Sequence, residues 1–256
     1  MFAEERKEQI ISFLREHKRA NIHELIDTFQ VSGATIRADL RELEGLGLIK
    51  RTHGGAIYRE DMLSDQDGIA SRDFYGQEKE WIAHAAARFV NPGETIILDG
   101  STTNMYLARQ IKEVENLTVI TNDIMVAGEI YQCQNIKIIF CGGIMRPMYG
   151  CMAGAEAITF IQRLSVDKAF ISPNALSISR GAFTPSLDTA DTKKAFIQAA
   201  DKSYLLCTSN KIGKKAMCQF GRLEDFECMI TDNHIKDRDR DAIEQAGMPI
   251  YICGES

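Results

Sequence analysis

The chain has 256 residues, of which 45% are hydrophobic and 26% charged, and a formal net charge of −6. That length exceeds one small module and points to two domains with a proper core. No run of about 18 apolar residues occurs, and Glu4, Glu5, Arg6 and Lys7 charge the N-terminus. A membrane span and a secretory signal are therefore not expected, and a cytoplasmic protein is. The seven cysteines, at 133, 141, 151, 207, 218, 228 and 253, are odd in number and show no CxxC spacing. They are expected as reduced core thiols, with no metal site and no cofactor.

The first element is a helix from about Glu5 to His17, burying Ile10, Ile11, Phe13 and Leu14. A second opens at Asn21, where Glu24 three residues on completes a capping-box pattern ahead of Leu25, Ile26 and Phe29. Ser32 then N-caps a third helix running to about Leu46. Ile36, Leu40 and Leu43 make its apolar stripe, while Ala34, Arg37, Ala38 and Arg41 project from another face. Lys50, Arg51 and His53 fall on a glycine-closed hairpin. Residues 1–58 thus read as a winged helix-turn-helix, with Arg37 and Arg41 placed for base edges or phosphates of double-stranded DNA. Ser32 and Thr35 sit where hydroxyls and free amides suit phosphate oxygens, and Lys50, Arg51 and His53 suit the backbone or minor groove. An arginine pair on a helix is also what an ordinary solvated face looks like. Charge does not decide between the two, since nine basic residues balance nine acidic ones in this stretch and the −6 resides in the remainder. One small neutral module binds DNA weakly, so a homo-oligomer, dimer or tetramer, is expected.

Residues 59–75 break the hydrophobic period and read as a linker. Across 76–256, apolar runs at Thr95–Asp99, Thr118–Thr121, Lys137–Cys141, Lys168–Ser172, Tyr204–Thr208, Cys228–Thr231 and Pro249–Cys253 alternate with helix patterns. The helices are Glu80–Val90, Thr103–Ile111, Asp123–Tyr131, Ala155–Leu164, Asp188–Ala200 and Ile235–Ala246. This alternation predicts an α/β domain with a mostly parallel, doubly wound sheet, whose ligands bind at strand exits. Asp99-Gly100-Ser101-Thr102-Thr103 leaves a strand and opens a helix, as a phosphate cradle does; equally, Asp99 and Ser101 serve as helix caps. The other exits are Thr121-Asn122-Asp123, Cys141-Gly142-Gly143 with Arg146 beyond, and Thr208-Ser209-Asn210-Lys211. Double glycines alone usually mark a turn, and an exposed lysine usually nothing specific. Arg72 and Lys79 are further charges that would reach the same ligand or simply be solvated.

The chain resembles the DeoR-type family of bacterial transcriptional regulators over nearly its whole length. The likeness is carried by Val31-Ser32, Thr35-Ile36-Arg37, Asp39-Leu40, Leu43-Glu44, Gly47 and His53-Gly54-Gly55-Ala56. In the second half it is carried by Asp99 to Thr103, Thr121-Asn122, Gly142-Gly143, Gly154 and Lys211-Ile212-Gly213. The resemblance implies a winged-helix domain followed by a sensor similar to ribose-phosphate isomerase and CoA-transferase-like folds, which binds a phosphorylated sugar and relieves repression of a carbohydrate-use operon. From the strand exits and this resemblance together, Asp99, Gly100, Ser101, Thr102, Thr103, Asn122, Gly142, Gly143, Arg146 and Lys211 are the effector-binding candidates. Ile171 to Ala175, with Gly181 and Thr184, is similar to the branch of the lactose phosphotransferase repressors. Two positions depart from the family pattern: Ala38 stands where a second arginine is usual, and Thr208 where an aspartate is. A non-enzymatic regulator is expected. The alternatives are an isomerase-like enzyme carrying a DNA-binding module and a ligand-independent architectural binder.

Overall fold

A computed structural model describes residues 3–45, 49–58, 75–145 and 150–254. The described residues fall into two compact units divided at Tyr75. The expected linker up to residue 74, with Arg72, and also Arg146 and Leu46, lie outside the described residues.

In the first unit α1 (Ala3–His17) is followed by β1 (Arg19–Asn21), α2 (Ile22–Phe29), α3 (Gly33–Gly45), β2 (Ile49–Thr52) and β3 (Gly55–Tyr58). The capping box at Asn21 and Glu24 forms, with amide to side-chain contacts of 2.7 and 2.9 Å in the two directions. The Ser32 hydroxyl accepts the Thr35 amide at 3.1 Å and meets the Thr35 hydroxyl at 2.8 Å, so it caps α3. Ile10, Leu14, Leu25, Ile36, Leu40 and Leu43 form the buried centre, and Phe13 is only half-buried because it stacks on the exposed His17.

The wing is a three-stranded sheet, with β3 between β1 and β2. Three residues are too few for β1 to show a period. At Gly55 any Cβ would stand 2.0 Å from the Ala20 carbonyl oxygen, so glycine alone lets β3 reach β1. Beneath the recognition helix, Arg6 grips Asp39 with two hydrogen bonds of 2.7 and 3.1 Å, both side chains buried. This raises the Arg6 pKa, chiefly through the Asp39 hydrogen bond.

The second unit opens with α4 (Gly76–Ala87), β4 (Thr95–Leu98), α5 (Thr102–Gln110), β5 (Leu117–Thr121), α6 (Ile124–Ile130) and β6 (Ile136–Phe140). A short hairpin of β7 (Ile144–Met145) and β8 (Met152–Ala153) precedes α7 (Ala155–Ile161), β9 (Val166–Ile171), β10 (Ala175–Ser177) and β11 (Gly181–Thr184). Then come α8 (Leu187–Ala199), β12 (Ala200–Leu206), β13 (Cys218–Gly221), β14 (Cys228–Asp232), α9 (Asp237–Gln245) and β15 (Ile250–Cys253).

Seven strands form one parallel sheet in the order β15-β14-β12-β9-β4-β5-β6. Adjacent residues serve opposite faces. Ile97, Ile171 and Leu205 pack with residues of α7 and α8, while Ile96, Leu98, Phe170 and Leu206 pack with α4, α5 and α6. The inner strands, buried on both faces at their carboxyl ends, read as apolar runs there, whereas the edge strands β6 and β15 are only partly covered. β4 leads outward through β5 to β6, whereas β9, on its other side, leads through β12 and β14 to β15. The winding direction therefore reverses between β4 and β9, and the crevice of such a sheet opens at that pair's carboxyl ends. A second sheet, β10-β11-β13, is antiparallel and was not among the expected strands. Its short, Ala- and Gly-containing segments lack both the apolar run and the alternation.

The Arg6–Asp39 pair generates a prediction. Asp39→Ala leaves a guanidinium unpaired inside the small unit and is expected to cost about 3 kcal/mol. Thermal denaturation should show it as a lowered transition of that unit, while Glu44→Ala, at an exposed position, shifts it little.

Candidate functional site

On α3, Ala34, Arg37, Ala38 and Arg41 are all exposed. The Arg37 side chain lies back toward the start of the helix, its Nη1 3.2 Å from where a Cβ on Gly33 would be. Arg41 rests lightly on the helix, its Nε donating to the Arg37 carbonyl at 3.3 Å. Among the described residues neither pairs with a carboxylate. Exposed Lys50 and His53 lie on β2 and the turn after it. Arg51 is engaged instead: its amide donates to Glu44 Oε1 at 2.9 Å and its guanidinium stands 3.7 Å from Oε2. Glu44 thereby ties the wing to the end of α3. Five basic side chains thus belong to one helix and the wing packed on it, four of them without an acidic partner among the described residues.

The second site lies at the β4/β9 exits, where the sheet topology puts it. Asp99, directly after β4, is fully buried. Its Oδ1 accepts from Asn104 Nδ2 at 2.6 Å, and its Oδ2 accepts from the Ser172 amide at 3.0 Å and from Lys193 Nζ. Lys193, reaching in from α8, also donates to the Ser172 carbonyl at 2.9 Å, and Lys211 donates to the Ser172 hydroxyl at 3.1 Å. Both ammoniums therefore converge on Ser172, against the one carboxylate of Asp99. Burial pushes the Lys211 pKa down to about 8, with Lys193 and Lys214 pushing the same way and Asp99 opposing.

Around this cluster Gly100 is needed for packing, since a Cβ there would stand 2.6 Å from Cys151 Cβ. Ser101 caps α5 by accepting the Asn104 amide at 3.2 Å. Thr102 is half-buried beside it, and Thr103 is buried, its hydroxyl without a partner among the described residues. Asn122 donates to the Met152 carbonyl at 2.6 Å, but its Oδ1, facing Gly100, has no partner among the described residues. The space enclosed by Asp99, Gly100, Asn122, Cys151, Thr192 and Lys193 is about 10 Å³, room for about one water. Gly142 and Gly143 do not line it. They turn the chain into the β7–β8 hairpin, Gly143 at a φ of 152° passing close to Ala153.

Sequence reasoning missed Lys193, Asn104 and Ser172 as members of the cluster. The signal for Lys193 is present: it falls three residues after Ala190 and three before Phe196, on the buried stripe of its helix. Lys79 lies buried on α4 rather than solvated.

Among the described residues no helix is long and apolar enough to cross a membrane. The DeoR-like helix-turn-helix domain matches residues 6–61, and the DeoR C-terminal sensor domain matches residues 75–233. The HTH-type transcriptional regulator GlpR of Haloferax volcanii is 31% identical over 257 residues, with 98% of each chain covered. The lactose phosphotransferase system repressor of Streptococcus mutans is 34% identical over 238 residues, covering 91% of this chain and 93% of that one. Ribose 5-phosphate isomerase A of Methanocaldococcus jannaschii is a structural neighbour with a TM-score of 0.39 and 17% identity, over 54% of each chain. With both of its family domains present in order and relatives matching end to end, the chain belongs to the DeoR family of transcriptional regulators.

Proposed function

We propose that the protein is an oligomeric repressor of a carbohydrate-use operon, whose affinity for operator DNA is changed by a phosphorylated sugar bound at the β4/β9 exits. The observation that carries the sensing half is the charge of the crevice: two ammoniums meet one carboxylate where water is scarce, so the site lacks an anion. Asn122 Oδ1, a buried acceptor without a donor, suits a sugar hydroxyl. Ser101, Thr102 and the first amides of α5 line the same exit and suit further oxygens of such a ligand. The relative named as a lactose phosphotransferase system repressor agrees with a carbohydrate-linked role. On the DNA side Arg37 and Arg41 read the major groove, Ser32 and Thr35 lie near phosphates, and Lys50 and His53 touch the backbone. Arg51 reaches it only by giving up Glu44. An isomerase reading is disfavoured by Asp99, which is held by Asn104, Ser172 and Lys193 and so is not placed to take a substrate proton.

Arg37→Ala and Arg41→Ala should each weaken retention of the fragment upstream of the encoding gene by about tenfold or more in a mobility-shift assay. Unchanged affinity in both variants would remove this helix from the interface.

A panel of sugar phosphates should contain one that raises the melting temperature and weakens the operator complex, since a ligand at 100 times its Kd adds about 2.7 kcal/mol. Its affinity should fall as pH rises through about 8, where Lys211 loses its proton. The ligand-free chain behaves oppositely. Between about 8 and 10.5 the unfolded lysine holds a proton that the folded one has released, so stability rises with pH across that window. Lys211→Met should flatten both dependences, in titration calorimetry and thermal melts respectively.

A further inference from the structure

The buried carboxylate at the β4 exit already holds three protein donors, whereas the two ammoniums beside it have that one carboxylate between them. Asp99 accepts from Asn104 on one oxygen and from the Ser172 amide and Lys193 on the other, so both of its oxygens are engaged. Lys193 has two acceptors, Asp99 and the Ser172 carbonyl, and Lys211 has only the Ser172 hydroxyl among the described residues. Lys214 adds positive potential at Lys211, and Asp232, at the end of β14, is occupied by the amides of Ser209 and His234. The space beside Lys193 admits one water and no phosphoryl group. It is walled on one side by Thr189, Thr192, Lys193 and Phe196 of α8, and on the other by Gly100, Asn122 and the stretch from Cys151 to Ala153.

From this we infer that Asp99 is the resident counter-ion of Lys193, and that a phosphoryl group of the ligand displaces it, seating on Lys193 and Lys211 and driving α8 away from the β4 exit. The inference rests on the phosphosugar reading above and assigns Lys193 as the anion ligand within it. The exchange is nearly balanced electrostatically, because Lys193 trades one anion for another. Asp99 retains Asn104 and the Ser172 amide after the exchange, so it is not abandoned in the core. The gain comes from Lys211, which acquires an anion it lacks. A phosphate monoester, carrying about −1.5 to −2 and three acceptor oxygens, serves both ammoniums at once, which a monoanionic carboxylate does less well. Because the space beside Lys193 is too small for a phosphoryl group, occupancy there and displacement of α8 are one event, and that movement is the differential contact a coupled site requires.

The test uses the full-length chain with inorganic phosphate as probe in titration calorimetry. If Asp99 competes with the ligand, Asp99→Asn binds phosphate about tenfold more tightly than the parent, and Lys193→Gln loses binding while Lys193→Arg keeps it. If Asp99 is a direct ligand contact, Asp99→Asn binds more weakly, and that result overturns the proposal, as does unchanged affinity. Should Asp99→Asn fail to fold, the Gln and Arg variants of Lys193 decide alone: equal binding by both overturns it. The two readings fail separately. An operator complex indifferent to every sugar phosphate ends the sensing proposal, whereas an intact sugar-phosphate response with Asp99→Asn no tighter than the parent ends this one only.

Discussion

A carboxylate without water must have its lone pairs filled by the protein, and at Asp99 that requirement organises the sensor unit. Its donors come from the adjoining α5, from the β9 exit and from α8, so two segments distant in sequence are fastened to one side chain. The position is dictated by topology: only between β4 and β9 do neighbouring parallel strands send their chains in opposite directions, leaving a gap that no crossover covers. A buried ion pair contributes little net stability compared with apolar packing, yet removing one partner is costly. The pair is thus better suited to specifying an arrangement, or to switching between two, than to holding the domain together. The apolar clusters on the two faces of the sheet do the latter.

The DNA-binding unit uses the same division of labour in miniature. Asp39, on the inner side of α3, is held by Arg6, and Glu44 at the helix end holds the Arg51 amide of the wing. The helix is oriented from behind and from its end, and its outer face is left with Arg37 and Arg41 unpaired by any described carboxylate. A recognition surface needs this combination, since a side chain ordered by its own protein has less freedom to lose on meeting a base but must keep its donors free.

Much of this was legible in the sequence, for reasons that differ by element. The inner strands of the parallel sheet announce themselves because both faces are buried, the edge strands β6 and β15 because their residues are still mostly apolar, and the Asn21–Glu24 and Ser32 caps because capping chemistry is local. β10, β11 and β13 are silent, since an antiparallel patch of three- and four-residue strands held by Gly181 and its neighbours carries no period. β1 is silent for the same reason, though Gly55 marks where it is approached. At the site, strand exits were readable as loops of glycine and hydroxyl residues. The partners of Asp99 were not, because Ser172 acts largely through its backbone and Lys193 looks like one more lysine on a helix until its place on the apolar stripe is noticed. Gly142 and Gly143 show the converse, a pattern that signals a turn and supplies one.

The two departures from the family pattern bear differently on function. Ala38 is exposed on α3 and presents a methyl group where a second arginine would present five donors, so on the proposed DNA-reading role it changes what that surface offers without disturbing the fold. Thr208 is buried, and its hydroxyl donates to Asn210 Oδ1 at 2.6 Å, closing the short turn that leads to Lys211. A carboxylate at that position would stand one helical turn before Lys211 and lend it a negative charge. With threonine there, no described carboxylate contacts Lys211, and burial has already made its positive charge expensive. An ammonium in that condition is stabilised by whatever anion arrives. On the proposed sensing role, threonine at 208 therefore sharpens the demand of Lys211 for an anionic ligand.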